Sequence, residues 1–147
     1  MALGIRFVIA SLIFAVATPA LAVQAGTLHV DGYTIRYNAL PSDALPEAGA
    51  KRLELTPAPK LGIVNVSVTR GSGYDAPSVT AHVSGHATTS TGTTIPIHFR
   101  TIHDGDCISY LGTFTVPGKD TLTFDLEVAP TGGSRRHVHF KQVFLRH

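Results

Sequence analysis

The feature that most constrains this chain is a two-residue alternation that recurs through residues 28–144. Val64, Val66 and Val68 alternate with Asn65, Ser67 and Thr69. Val79, Ala81 and Val83 alternate with Thr80, His82 and Ser84, and Ile95, Ile97 and Phe99 with Pro96, His98 and Arg100. Leu122, Phe124, Leu126 and Val128 alternate with Thr123, Asp125 and Glu127, while Ile108, Tyr110 and Phe114, and later Val138, Phe140, Gln142 and Phe144, each hold one phase. Successive side chains of a strand point to opposite faces, so every run has one apolar and one wet face. Half-buried strands of this kind belong to antiparallel sheets. No βαβ spacing is present, which argues against a parallel sheet. The expected fold is all-β: an antiparallel, immunoglobulin-like β-sandwich of about seven strands.

The punctuation between runs refines this. Asp31-Gly32, flanked by Leu28 and Val30 and by Tyr33, Ile35 and Tyr37, predicts a hairpin. Residues 38–59 hold Pro41, Pro46, Pro57 and Pro59 and predict a short helical or irregular segment after the first strands. Ser42 is the expected cap of a short helix through Ala44, Leu45, Ala48 and Ala50, which Gly49 weakens. Pro96 cannot donate to a ladder, so its strand is expected at an edge or bulged. Gly85 and Gly112 mark bulges or close backbone approach. Residues 88–94 and 131–134 are polar turns, and Asp104-Gly105-Asp106 is expected to be a tight turn rather than a calcium loop.

The first residues carry an address. Arg6 precedes an apolar run over residues 7–17, and Ala20 and Ala22 supply small residues at a peptidase site. Residues 1–22 are therefore expected to be a cleaved secretory signal, with cleavage after Ala22 or else after Ala25. The run is shorter than the ~20 residues a membrane helix needs. Residues 23–147 are expected to form a single β-sandwich domain in the periplasm, with no membrane span once the leader is gone. Removal of Arg6 leaves eleven basic against ten acidic residues, a balance that points to neither nucleic acid nor a strongly anionic partner. Cys107 stands alone, which rules out an internal disulfide, and is expected to be a small buried hydrophobe.

Eight histidines raise a metal hypothesis. His137 and His139 share a strand face, as do His82 and His86, and imidazole suits zinc or copper. A third ligand is sought among His98, His103 and Asp104. Against this stands a solvent-facing strand that is simply rich in histidine. A small hydrolase is a further alternative, though no nucleophile motif is present. No cofactor is expected. The basic run Arg135, Arg136, His137, His139, Lys141, Arg146 and His147 is expected to protect a sheet edge.

Several strings then carry a resemblance: Tyr37-Asn38-Ala39, Asn65-Val66-Ser67-Val68, Ser84-Gly85-His86-Ala87, the stretch FRTIHDGD over residues 99–106, and FKQVF over residues 140–144. In order and spacing they resemble the exported bacterial proteins grouped as domain of unknown function 4426, over about residues 33–144. The resemblance implies a small periplasmic β-sandwich and transfers no catalytic residue, cofactor or partner. The chain departs from that family's pattern before the NVSV strand. A longer helical segment and a basic stretch are replaced there by a compressed, proline-rich stretch that keeps only Lys60.

The matched polar residues Asn38, Asn65, Arg100 and Gln142 sit in strongly β segments, where asparagine is a poor fit. They are expected to tie loops to strand ends by hydrogen bonds, or else to line a shared polar patch. The sequence thus points to a periplasmic, non-catalytic binding or accessory protein that meets an envelope protein or peptide through a sheet face or edge.

Overall fold

A computed structural model describes residues 25–145. The leader and both cleavage sites after Ala22 and Ala25 are expectations that fall on or at the border of residues outside this range, as are Arg146 and His147.

Among the described residues nine strands form: β1 (Ala25–Val30), β2 (Tyr33–Pro41), β3 (Leu61–Arg70), β4 (Ala81–Thr88), β5 (Thr94–Pro96), β6 (His98–Asp104), β7 (Cys107–Thr115), β8 (Asp120–Pro130) and β9 (Arg136–Phe144). All named pairings are antiparallel. They build a five-stranded sheet, β1-β2-β3-β7-β6, and a four-stranded sheet, β5-β4-β8-β9. Two features of the sequence raise the strand number above the expected seven. Asp31 (φ 52°) and Gly32 (φ 80°) both take the left-handed conformation and fold β1 onto β2, as a two-residue hairpin turn requires. Pro96 ends β5, and after Ile97 the chain resumes as β6 in the opposite sheet. The expected edge proline is thus the corner where one strand run changes layers.

The alternation drives the packing. Val64, Val66 and Val68 of β3 meet Leu122, Phe124, Leu126 and Val128 of β8 between the sheets, all essentially buried. Phe124 stacks on Phe140 at 4.9 Å and meets Phe114 edge-on at 5.2 Å. Both arrangements suit aromatic quadrupoles. Gly112 is required where the layers cross: a Cβ there would lie 2.6–2.8 Å from Ile97, Val64 and Phe99.

The outer faces of the two sheets differ. On the five-stranded sheet, Leu40, Ile63, Ile102 and Leu111 form a second apolar cluster, covered by Leu45, Leu53 and Leu55 of the segment between β2 and β3. That segment holds a 3-10 turn (Ser42–Ala44) and a short helix α1 (Glu47–Arg52). Leu45 is extended (ψ 136°), as a residue before proline prefers, so α1 starts at Glu47, after Pro46, and not at Ser42. Ser42 does not cap it. Its Oγ donates to the Ala58 carbonyl and accepts from the Ala58 N–H, both at 3.0 Å, and closes the base of the segment. Glu54 (φ 51°) ends α1 in the left-handed conformation, with Glu54 and Leu55 N–H donating to the Lys51 and Ala50 carbonyls.

The four-stranded sheet has no such cover among the described residues. Its outward positions on β8 and β9 read half-buried or exposed in strict alternation with buried ones. Cys107 also differs from expectation: it is exposed, because it opens β7 opposite Asp104 across the turn at Gly105 and Asp106. Among the described residues no helix is long and apolar enough to cross a membrane.

Candidate functional site

The bare outer face of the four-stranded sheet gathers the two histidine pairs singled out in the sequence, His82 and His86 on β4 and His137 and His139 on β9. Antiparallel register puts His86 of β4 opposite Asp125 of β8, and Asp125 opposite His139 of β9. The next row places Ser84 opposite Glu127, and Glu127 opposite His137. Directly opposed side chains of neighbouring strands start only about 5 Å apart, so each row is a line of contacts. His139 Nδ1 lies 2.6 Å from Asp125 Oδ1, and His86 Nε2 lies 3.8 Å from Asp125 Oδ2. His137 Nε2 lies 3.9 Å from Glu127 Oε1, and Arg135 Nε lies 3.8 Å from Glu127 Oε2. Ser84, His86, Asp125, Glu127 and His137 line a shallow groove of about 510 Å³.

Close approach of β4 to β8 makes the first row. Gly85 sits opposite Leu126, and a Cβ there would lie 2.4 Å from the Asp125 carbonyl oxygen and 2.9 Å from Leu126 Cα. Only glycine allows this spacing without moving backbone. The expectation of close approach at this residue is met, and it positions His86 beside Asp125.

His82 lies on the same strand, but the register sets Ala129 opposite it, so it has no acid partner in its row. The reserve ligands His98, His103 and Asp104 lie on β6, in the other sheet. Asp104 instead approaches Arg52 at 3.6 Å. The acids that accompany the histidines are Asp125 and Glu127. They were visible only as the wet phase of one run, since nothing in the sequence states that β8 lies between β4 and β9. Among the described residues no group of three or more His, Cys, Asp or Glu side chains is placed to hold a metal ion. Ser84 shares the groove with His86 and His137, and among the described residues its hydroxyl has no hydrogen bond to either.

The matched polar residues separate. Asn38 pairs with Asn65 across β2 and β3, Asn65 with Leu111, and Leu111 with Arg100, forming one row on the covered face of the five-stranded sheet. Arg100 donates to the carbonyls of Leu53 and Glu54 at 2.5 and 3.1 Å and faces the Glu54 carboxylate at 4.0 Å. It fastens the covering segment just past the end of α1. Asn65 Oδ1 is buried and, among the described residues, lacks a hydrogen-bond partner, which costs about 1–3 kcal/mol. Gln142 does not join this row. It lies buried between Phe140 and Phe144 on the inward face of β9, in the other sheet.

Asp120 is held below its ordinary carboxylate range. The Ser90 side chain lowers its pKa most, burial opposes, and the Ser90 and Thr121 N–H groups lower it further.

Comparison with known proteins adds a family. A model described as a domain of unknown function, DUF4426, matches residues 27–146. No curated protein matches the chain. Among solved structures, a DUF4426 family protein from Pseudomonas aeruginosa PAO1 superposes with a TM-score of 0.70 at 24% identity, covering 84% of this chain and 96% of its own. FetP of uropathogenic E. coli strain F11, recombinantly expressed in the periplasm of E. coli, superposes with a TM-score of 0.60 at 10% identity, covering 83% and 94%. At these identities the likeness is one of fold.

Proposed function

The chain belongs to the DUF4426 family, and from that premise we propose that it is a non-catalytic binding protein of the bacterial cell envelope whose working surface is the bare face of the four-stranded sheet. Residues 1–22 act as the export signal in this account, and residues 23–147 as a single domain in the periplasm. The periplasmic expression of FetP, a protein of similar fold, is in keeping with that location.

One observation carries the proposal. His86, Asp125, Glu127, His137 and His139 are brought to one solvent-facing surface from three strands, where the fold has no use for them. Their side chains are 41–76% exposed, and ion pairs at that exposure contribute about 0–1 kcal/mol. The sandwich core lies on the other side of the sheet and is complete without them.

The test is a thermal-shift panel on the processed, untagged protein. Its arms are divalent metal chlorides, sodium phosphate, and short acidic and basic peptides, each run on the wild type and on an H86A/H137A/H139A variant. At least one arm is expected to raise the midpoint of the wild type and not of the variant. Indistinguishable responses in every arm, or turnover of a model ester that the variant loses, would overturn the proposal.

A further inference from the structure

We infer that the free edge of β9 takes up an extended peptide as one more strand of the four-stranded sheet, a segment in which acidic and apolar residues alternate. This rests on the binding-face proposal and names the partner of that face.

The backbone comes first. Among the described residues β1, β5, β6 and β9 lie at sheet edges. β5 has only three residues and ends on Pro96, which blunts it as a template. β9 is the longest of the four at nine residues and has no proline or glycine. Its inward side chains are Val138, Phe140, Gln142 and Phe144, so no charge points inward to oppose pairing. The direction of its backbone groups follows from β8. The Thr131 N–H donates to the Thr80 carbonyl, which continues the β4–β8 register. Alternation then turns odd-numbered residues of β8 toward β4 and even-numbered ones toward β9. In the β8–β9 register even pairs with even. His137, His139, Lys141 and Val143 therefore present their N–H and C=O groups at the free edge. Gln142 Nε2 donates to one of these acceptors, the Val143 carbonyl, at 2.9 Å, as a side chain does where no strand supplies the donor.

Packing comes second. The two sheets differ by one strand. β9 packs against β2, with the Phe140 ring 4.8 Å from that of Tyr37. β1 thus reaches one strand beyond β9, and among the described residues no strand faces it from the other layer. Its inward residues Leu28 and Val30, and Tyr37 lying over Gly26, are only partly buried. A strand added to β9 lies beneath them, and its apolar side chains complete their burial. The Arg136–Asp31 ion pair closes one end of this position. Val143 and Leu145, 46% and 45% exposed, mark the other.

Charge selects the occupant. Arg135, Arg136, His137, His139 and Lys141 line the edge strand and its approach, while the acids Asp125 and Glu127 stand one strand further in. Lys141 sits opposite Thr123 and, among the described residues, makes no ion pair. Directly opposed side chains of neighbouring strands feel each other's charge. A second copy paired through β9 would set this cationic row against itself. Outward acidic side chains answer the row, and inward apolar ones meet Leu28 and Val30. In strand addition main-chain bonds give affinity and alternate side chains give specificity.

The probe is an acetylated, amidated nonapeptide of alternating glutamate and valine, titrated calorimetrically into the processed, untagged full chain. Its comparators are a lysine–valine peptide and a copy of the probe N-methylated at every peptide nitrogen, which keeps the side chains and loses the donors. One peptide per chain is expected, at micromolar affinity, with both comparators at least about tenfold weaker. K141P removes an edge N–H without touching the ladder to β8. It should weaken binding by at least about tenfold, while H103A on β6 should leave it unchanged. Circular dichroism checks that K141P folds, and if it does not, the N-methylated comparator decides. Affinity no better than millimolar, equal binding of either comparator, or undiminished binding by folded K141P would each overturn the assignment. So would a dimer of the free protein in sedimentation that K141P dissociates, since the edge would then belong to a second copy. If the probe fails while another arm of the thermal panel still separates wild type from triple variant, only the peptide assignment falls. If no arm separates them, the binding face falls as well.

Discussion

His139 Nδ1 and Asp125 Oδ1 stand 2.6 Å apart on the outer face of the four-stranded sheet, joined by the register of β8 and β9. The pair is about half exposed, with His139 at 63% and Asp125 at 44%, so water screens most of its attraction. We expect H139A and D125N each to change unfolding free energy by no more than about 1 kcal/mol. Urea titration near neutral pH measures this. A loss several times larger would make the pair a structural element and remove the reason to assign it to binding.

Gly85 is a different matter. Its added Cβ would strike the backbone of Asp125 and Leu126, which cannot yield as a flexible side chain would. G85A should cost roughly 1–3 kcal/mol and move His86 away from Asp125. The neighbouring outward residue Ser84 touches no core, and S84A should fall within about 0.5 kcal/mol of wild type. Denaturant midpoints of the two variants, side by side, check the contrast.

Arg100 fastens the covering segment by its bonds to the Leu53 and Glu54 carbonyls. R100A should destabilise the fold by about 1–3 kcal/mol, the cost typical of a lost hydrogen bond to a charged group. It should also loosen residues 42–60 ahead of the sheets. Limited proteolysis checks the second part: new cleavage is expected between Leu45 and Leu55, and cleavage first in β8 or β9 would contradict it.

Asp120 gives the pH dependence a sign. Its bonds to Ser90 and Thr121 hold the folded carboxyl below the ordinary value of 3.8. A carboxyl whose folded pKa is depressed adds stability above its unfolded pKa and loses it as pH falls through the folded one. The wild type should therefore lose more stability than D120N on acidification below about pH 4. Urea midpoints from neutral to acid pH in both proteins measure the difference.

Much of the fold was legible because the alternation is an unambiguous physical code. Val64 to Val68 and Leu122 to Val128 face inward as their phase demanded, the Asp31-Gly32 turn forms the hairpin, and Pro96 lies at a sheet edge. What the code does not carry is neighbourhood. Ile63 and Leu111 lie on the phase read as wet, yet they are buried because the Leu45, Leu53 and Leu55 segment covers them. Gln142 lies on the apolar phase and is buried with it, so it could not share a patch with Asn65 and Arg100. The two histidine pairs were found by spacing, but Asp125 and Glu127 join them only through strand order, which spacing does not encode. Cys107 looked like a core residue by type and is exposed by position, at the mouth of a turn.

The claim on which this account turns is that the uncovered sheet face is where the protein works. Backbone amide NMR of the processed, isotope-labelled chain, titrated with the glutamate–valine peptide to saturation, tests it most directly. The account predicts shift changes centred on Asp125, Glu127, His137, His139 and Lys141, with the covering segment and β6 unmoved. Shifts centred on His98, His103 or Cys107, or a spectrum that the peptide leaves untouched while other ligands perturb the face around Asn38 and Asn65, would contradict it.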